Sequence, residues 1–374
     1  MNGTAAFPVR LDNPRVWRAY LGGALLDRLH GQAAGKDDHF PEEWIMSVTS
    51  ANNPNRSDPA EGLSRAAETD RTLCDLLESD PQRYLGKSKA DPGVLVKLID
   101  SSERLGVQVH PDKAAAQRLF QSDYGKTECW HMLGTRRING EEPCVYLGFQ
   151  PGVTREKWKD LFDRQDIQGM LNAMHRYSVH PGDTLLVEGG TPHAIGAGCF
   201  LIEIQEPTDY TIRTERVTPS GFHVADSMCH QGIGFDKMFD VFHYQGLARS
   251  ENRGRCFVPA TTSLETEAGR IVSLIGYDRT PCFALEEIQV TGKMEVPAIP
   301  SFYGLYILAG SGVMRMNRCQ AALEKTAQFF VPAGAPALEI EAEKDKPLRI
   351  MRFLGPKAAL TLHPISKRDT MPVK

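Results

Sequence analysis

The sequence predicts a mainly β protein built as barrels, with short helical segments packed outside them. Three observations carry this. Short apolar or alternating runs recur along the chain, among them "GVLVKLID", "CVYLGF", "DTLLVEGG", "CFLIEIQE", "RIVSLIGYD", "YGLYILAGSGVMRM", "AQFFVPAG" and "LRIMRFLG". Gly, Pro, Asn and Asp punctuate them at close intervals, the pattern of a sandwich or barrel rather than of a βαβ sheet. No G-x-G-x-x-G or Walker sequence is present, which argues against a dinucleotide or P-loop site.

Each element has a local reason. The strands are bounded by turn residues and rich in Val, Ile, Leu and Phe, side chains that suit a pleated, buried surface. Three stretches depart from this rhythm. Residues 14–30 gain helical character in their second half, and 61–85 reads as one or two helices ended by Pro81 and Gly86. In 154–177, Trp158, Leu161, Phe162, Met170, Leu171 and Met174 fall at helical spacing behind Thr154, an N-cap candidate. A polar, Gly-containing segment, "GLARSENRGRC", marks a boundary around 245–260.

At 374 residues, with 41% hydrophobic and 24% charged residues, the chain has enough material for more than one substantial core. A formal charge of −4 gives no global attraction to nucleic acid or to an anionic membrane, so any anionic ligand must be met by local Lys and Arg. No run reaches the roughly 18 apolar residues of a membrane span. The opening "MNGTAAFPVRLDNPRVW" lacks the charged start and apolar run of a secretory leader. The eight cysteines are scattered, with no C-x-x-C pair, so neither a zinc knuckle nor a disulfide framework is expected. Cytoplasmic residence follows, and the sequon Asn55-Arg56-Ser57 is read as incidental.

The chemistry gathers where polar residues interrupt buried strands. In "LGVQVHPDK" read as a strand, Val107 and Val109 face one way, Gln108 and His110 the other. In "KTECWHML", Glu128 points opposite to Cys129 and His131, and pairing around a barrel brings Gln108, His110 and Glu128 into its interior. "GDTLLVEGGTPHAIGAG" adds a strand entering a Gly-Gly-Thr-Pro turn that ends at His193. The spacing of Gly182, Glu188, Gly190 and His193 is that of the second cupin signature, with Glu188 in place of its usual proline. Two imidazoles, a carboxylate and an amide oxygen suit a borderline divalent ion such as Zn²⁺. Taken one at a time, a strand His or Gln is more often a packed side chain, and a lone Glu more often a salt-bridged one. It is the shared face and the motif spacing that single these four out.

At these residues the chain resembles the type I mannose-6-phosphate isomerases. "VLVKLIDSSERLGVQVHPDK", "YGKTECWHML", "HPGDTLLVEGGTPHAIGAG" and "LIEIQEPTDYTIRTER" occur in that family's order and roughly its spacing. The resemblance implies two cupin (jelly-roll) barrels and one zinc ion per chain on Gln108, His110, Glu128 and His193. It further implies an active-site arginine at Arg213, with Lys97 and Lys126 lining a sugar phosphate pocket. The implied reaction interconverts mannose 6-phosphate and fructose 6-phosphate by proton transfer between C1 and C2 through an enediol. Two departures from the family pattern, Ile45 after Trp44 and Ile212 before Arg213, are expected beside the pocket.

A longer echo lies in the last 120 or so residues. "YILAGSGVMRM" and "AQFFVPAGAPALEI" repeat the strand, glycine turn, strand rhythm, with Ala337 where the ligand histidine would stand. Alanine cannot bind metal. The expected organisation is residues 1–250 as a metal-binding catalytic barrel with helical insertions near 58–90 and 154–177, and 251–374 as a metal-free barrel. Expected partners are a small sugar phosphate, with no nucleic acid and no membrane, in a monomer or homodimer. Competing readings are an isomerase of another sugar phosphate or free sugar, an iron cupin oxygenase, which a glutamine ligand suits poorly, and a non-catalytic sugar-phosphate sensor. Asp112 is expected to cap the helix that follows it, and His131 to be a packed strand residue.

Overall fold

The structure, a computed structural model, describes residues 8–53 and 58–357; the sequon at 55–57 lies outside them. The first strands are β1 (Val9–Leu11), β2 (Arg15–Val16), β3 (Glu42–Ile45), β4 (Leu95–Asp100), β5 (Gln108–Val109) and β6 (Glu128–Thr135). They are followed by β7 (Cys144–Phe149), β8 (Met174–Ser178), β9 (Thr184–Val187), β10 (His193–Ile195), β11 (Cys199–Gln205) and β12 (Ile212–Arg213). After the helix Arg249–Cys256 come β13 (Thr261–Thr266), β14 (Gly269–Ile275), β15 (Ala284–Val290), β16 (Lys293–Val296) and β17 (Tyr303–Ala309). The last are β18 (Gly312–Met316), β19 (Cys319–Leu323), β20 (Gln328–Val331), β21 (Leu338–Ala342) and β22 (Leu348–Leu354).

These strands make two antiparallel barrels. The first faces a sheet ordered β2-β3-β4-β11-β6-β9 with one ordered β12-β5-β10-β7-β8. The second faces β1-β20-β17-β22-β15-β14-β13 with β16-β21-β18-β19. The chain therefore crosses between barrels at its start, because β1 pairs with β20 in the second one.

Both sheets of the first barrel are covered on their outer faces, which is why its strands read as almost continuously buried. Val107, Val109, Phe149, Ala194 and Ile212 pack beneath the helices Arg155–Asp163 and Ile167–Asn172 and the segment around Met238 to Phe242. On the opposite side Ile45, Leu98, Cys129, Ile202 and Ile204 pack directly on Leu285, Tyr306, Phe330, Met351 and Phe353 of the second barrel. Removing large apolar side chains from water at about 25 cal/mol per Å² makes this shared layer a principal tie between the barrels.

Local signals place several helix ends. Thr154 accepts from the Lys157 N–H, Asp112 from the Ala115 N–H, and Thr72 forms a reciprocal capping box with Asp75. Gly86 closes Pro81–Leu85 at φ 70°, a left-handed cap that glycine adopts without steric cost. The two helices within 61–85 are Leu73–Ser79 and Pro81–Leu85. Two expectations change. Met174 begins β8 rather than continuing a helix, since pairing with β7 takes over there. The polar 249–256 stretch is a helix whose buried Asn252 donates to Leu147 O at 2.9 Å and Tyr177 Oη at 3.0 Å.

Candidate active site

Strand register assembles the site. His193 on β10 lies opposite Gln108 on β5, and Gln108 in turn lies opposite Arg213 on β12. Directly opposed residues share a face, so all three point into the first barrel. On the facing sheet, Glu128 is two residues from Trp130, Trp130 is opposite Glu203, Glu203 opposite Lys97, and Lys97 opposite Trp44. The polar residues at alternating positions of buried strands thus all open onto one interior.

His110, Glu128 and His193 meet there, each buried, with one ligand atom apiece within 4.8 Å of the others. His110 Nε2 is 3.2 Å from Glu128 Oε2, and His193 Nε2 is 3.4 Å from Glu128 Oε1. The tautomers follow from the other ring nitrogens. His110 Nδ1–H donates to Tyr210 O at 2.8 Å and His193 Nδ1–H to Thr191 O at 2.9 Å, which leaves both Nε2 lone pairs aimed inward. Burial pulls His110 down to about 3, with Lys126 adding to the effect, and burial likewise lowers His193, so both rings are neutral. Gln108 places its amide 3.3 Å from His193 Nε2, and a half-turn of the terminal torsion brings Oε1 to the same position.

These residues fit a divalent ion. Burial pushes the Glu128 carboxyl up, but its neighbours, the Lys126 ammonium foremost, outweigh it and hold it well below the usual range. Its Oε2 is buried and accepts no hydrogen bond among the described residues, so its charge is met only by the Lys126 ammonium, and it keeps a lone pair free for an ion. Lys126 stands closest, Nζ lying 2.9 Å from His110 Nε2 and 3.3 Å from Glu128 Oε2. An ion held by His110 displaces that lysine hydrogen bond, because the ring offers a single lone pair.

From this floor a cleft with about 880 Å³ of empty space, partly open to solvent, extends past Lys126, Gln108, Lys97, Glu203, Arg213 and Arg18. Lys97 Nζ is buried 3.3 Å from Glu203 and 3.9 Å from Glu42; burial pulls its pKa down, and the two carboxylates more than reverse that. Arg213 donates to the carbonyls of Thr211 at 3.2 Å and Met228 at 3.1 Å. The nearby carboxylates pair elsewhere: Glu215 with Arg104 at 2.5 Å, and Asp209 with Arg18 at 3.5 Å. Asp112 caps the helix Lys113–Phe120 as expected. His131 packs against Thr184 Oγ1 at 2.9 Å, on the face away from the cleft.

Arg18, Tyr20, Glu42, Glu203 and Asp209 also line the cleft and went unrecognised in the sequence. Glu203 carried the same signal as Glu128, a carboxylate in an otherwise apolar strand. Arg18 sits in an irregular segment with no periodicity to mark it. Glu42 accepts from Tyr20 Oη at 2.8 Å and Trp44 Nε1 at 2.7 Å and pairs with Arg18 Nε at 2.9 Å. Burial raises its pKa, yet Arg18 and Lys97 bring it down to about 2.

Known proteins share both sequence and architecture with this chain. The mannose-6-phosphate isomerase of Streptococcus mutans (serotype c) is 26% identical over 260 residues, 69% of this chain and 74% of that protein. "Probable mannose-6-phosphate isomerase GmuF" of Bacillus subtilis (strain 168) is 26% identical over 251 residues, 66% and 71% of the two chains. The crystal structure of the Bacillus subtilis mannose 6-phosphate isomerase superposes with a TM-score of 0.71 at 21% identity, covering 92% of this chain and 99% of that one. Sequence relatives and structural neighbours alike support the mannose-6-phosphate isomerase family as the one this chain resembles. A zinc-bound mannose 6-phosphate isomerase shares the fold at a TM-score of 0.68 and 15% identity, over 94% of this chain. No family model matches the chain. Both departures expected beside the pocket lie elsewhere: Ile45 packs in the layer between the barrels and Ile212 beneath the helices. Among the described residues, no helix is long and apolar enough to cross a membrane.

Proposed function

We propose that the chain is a zinc-dependent aldose–ketose isomerase that interconverts mannose 6-phosphate and fructose 6-phosphate. The observation that carries the reading is the convergence of buried His110, Glu128 and His193 with Gln108, which itself lines a cleft shared with Arg18, Lys97, Lys126 and Arg213. The names of the relatives supply the substrate.

Moving a proton between C1 and C2 exchanges carbonyl and hydroxyl through an enediol. One zinc ion per chain on those four side chains would polarise the carbonyl and stabilise the enediolate charge. The remaining steps fall to the chain itself. Glu203 offers a carboxylate oxygen, Oε1, that is buried and accepts no hydrogen bond, and we assign it the proton at C1 and C2. Burial and the Glu128 charge raise its pKa, which suits a group that must take up a proton, while Lys97 beside it favours the charged form. Arg213, bonded only to backbone carbonyls among the described residues, and Lys126 keep positive charge available for the oxyanion and the phosphate.

The same electrostatics favour one alternative for comparison, an isomerase of another sugar phosphate or a free sugar, since Lys97 and Arg18 are already neutralised by Glu42, Glu203 and Asp209. Zinc-loaded protein should exchange solvent hydrogen into mannose 6-phosphate and yield fructose 6-phosphate, with glucose 6-phosphate and free mannose as parallel arms. Turnover of free mannose alone would move the assignment to the alternative. Binding without turnover in metal-replete protein would replace both with a sensor. The proposal extends to a cytoplasmic monomer or homodimer, with the catalytic barrel in 1–250 and a metal-free one in 251–374, the β1 strap apart.

A further inference from the structure

Strand β3 is gripped from the second barrel. Its residues alternate: Glu42 and Trp44 face the cleft, where Glu42 anchors Arg18 and Lys97, while Glu43 and Ile45 face the neighbouring barrel. Glu43 is fully buried there. Its Oε1 accepts from Tyr306 Oη at 2.8 Å and Asn13 Nδ2 at 3.0 Å, and its Oε2 meets His30 Nε2 at 2.5 Å. Immediately after β3, Met46 is buried with φ 51°, a left-handed conformation uncommon for a residue with a side chain. Its N–H donates to Gln328 Oε1 at 2.9 Å, while Gln328 Nε2 donates to Asp12 O and, at 3.3 Å, to Asn13 Oδ1. Tyr306 and Gln328 are register partners on β17 and β20.

Apolar residues would fill this layer as well as Ile45, Phe330 and Phe353 do. A buried carboxylate and amide cost stability unless their partners are correctly placed, so they specify one alignment where an apolar contact tolerates several. We propose that Tyr306 and Gln328 are positioning residues for the cleft: the metal-free barrel clamps β3 at Glu43 and Met46 and thereby sets where Glu42 holds Lys97 and Arg18. The second barrel is then part of the site, although it contributes no group to the substrate.

The kinetic half of the test rests on the isomerase reading, and the exchange half does not. Full-length, zinc-loaded Tyr306→Phe and Gln328→Met are compared with Ile340→Ala, a change in the second barrel's own core. Amide exchange across 42–46 should quicken at least tenfold in the first two, with 184–187 unchanged. Their kcat/KM should fall about tenfold at constant zinc content. Ile340→Ala should lower Tm by a similar or larger amount and alter neither readout. Unchanged exchange at 42–46, or kcat/KM no lower than in Ile340→Ala, overturns the clamp. Should Gln328→Met not fold, Tyr306→Phe decides. Should the wild type fail to turn over mannose 6-phosphate, the isomerase reading falls and exchange alone decides the clamp.

Discussion

The two barrels follow one plan with different contents. The first keeps a cleft lined by Gln108, Lys97 and Arg213 and gathers His110, Glu128 and His193 in its buried interior. The second closes its interior with Met294, Met314, Met316, Phe329, Leu338 and Ile340. At corresponding turns both retain a glycine in the left-handed region, Gly190 at φ 84° and Gly334 at φ 73°. His193 follows the first turn and Ala337 the second. The two turns thus share a backbone form and differ in the side chain that follows, an imidazole in the first and a methyl group in the second. A barrel without such polar groups gains by packing to native density; one that keeps them must satisfy each, through the Tyr210 and Thr191 carbonyls and the charges around Glu128.

The sharpest attempt to break this contrast exchanges its defining residue. His193→Ala should abolish bound zinc and lower kcat/KM by roughly a thousandfold or more, the scale of losing a major electrostatic stabiliser. Ala337→His should bind no zinc, because Ile340 and its strand partners Met294 and Met314 supply no second donor. Retained zinc and activity in the first variant, or a new equivalent in the second by metal analysis, defeats the comparison. Next, Arg213→Ala and Lys126→Ala should each reduce kcat/KM by about a hundredfold with the fold and zinc retained. Unchanged steady-state kinetics in both would remove the anion-handling role of the cleft.

A smaller effect reports on the seam between the barrels. His131 is 3% exposed, and burial lowers it from the ordinary 6.5 to about 4, with Glu287 of the second barrel pulling the other way. The unfolded chain therefore takes up this proton before the folded one does. Stability contributed by the neutral ring is full above about pH 6.5 and is lost as pH falls toward 4, by on the order of 2 kcal/mol between pH 7 and pH 5. Urea unfolding of zinc-free His131→Gln should show a shallower decline over that window than the wild type, and parallel declines would count against it. The smallest effect is expected at the motif's odd residue. Glu188 pairs with Arg255 at 2.5 Å, both partly exposed, so Glu188→Ala should change stability by less than about 1 kcal/mol and leave kcat/KM within twofold.

Much of this was legible in the sequence because strand alternation is a local property. Gln108 beside His110, and Glu128 apart from His131, follow from the two-residue period alone. What escaped had its cause elsewhere in the chain. β8 takes Met174 because β7 pairs with it, and the helix Arg249–Cys256 is held by Asn252 reaching Leu147 O, neither partner being close in sequence. Ile45 and Ile212 look like pocket residues by adjacency to Trp44 and Arg213, yet the same alternation sends them to the opposite faces.

By itself, the sequence determined which donors were available, on which strand face each would stand, and that the echoing turn of the second barrel leads to an alanine instead of a histidine. The tertiary structure alone decided that His193, Gln108 and Arg213 stand abreast, that Arg18 and Glu42 join the cleft, and that β3 leans on Tyr306 and Gln328. The division has a physical reason: the direction of a side chain is set by its own backbone, but register and facing are set by pairings across long stretches of chain, which no local pattern encodes.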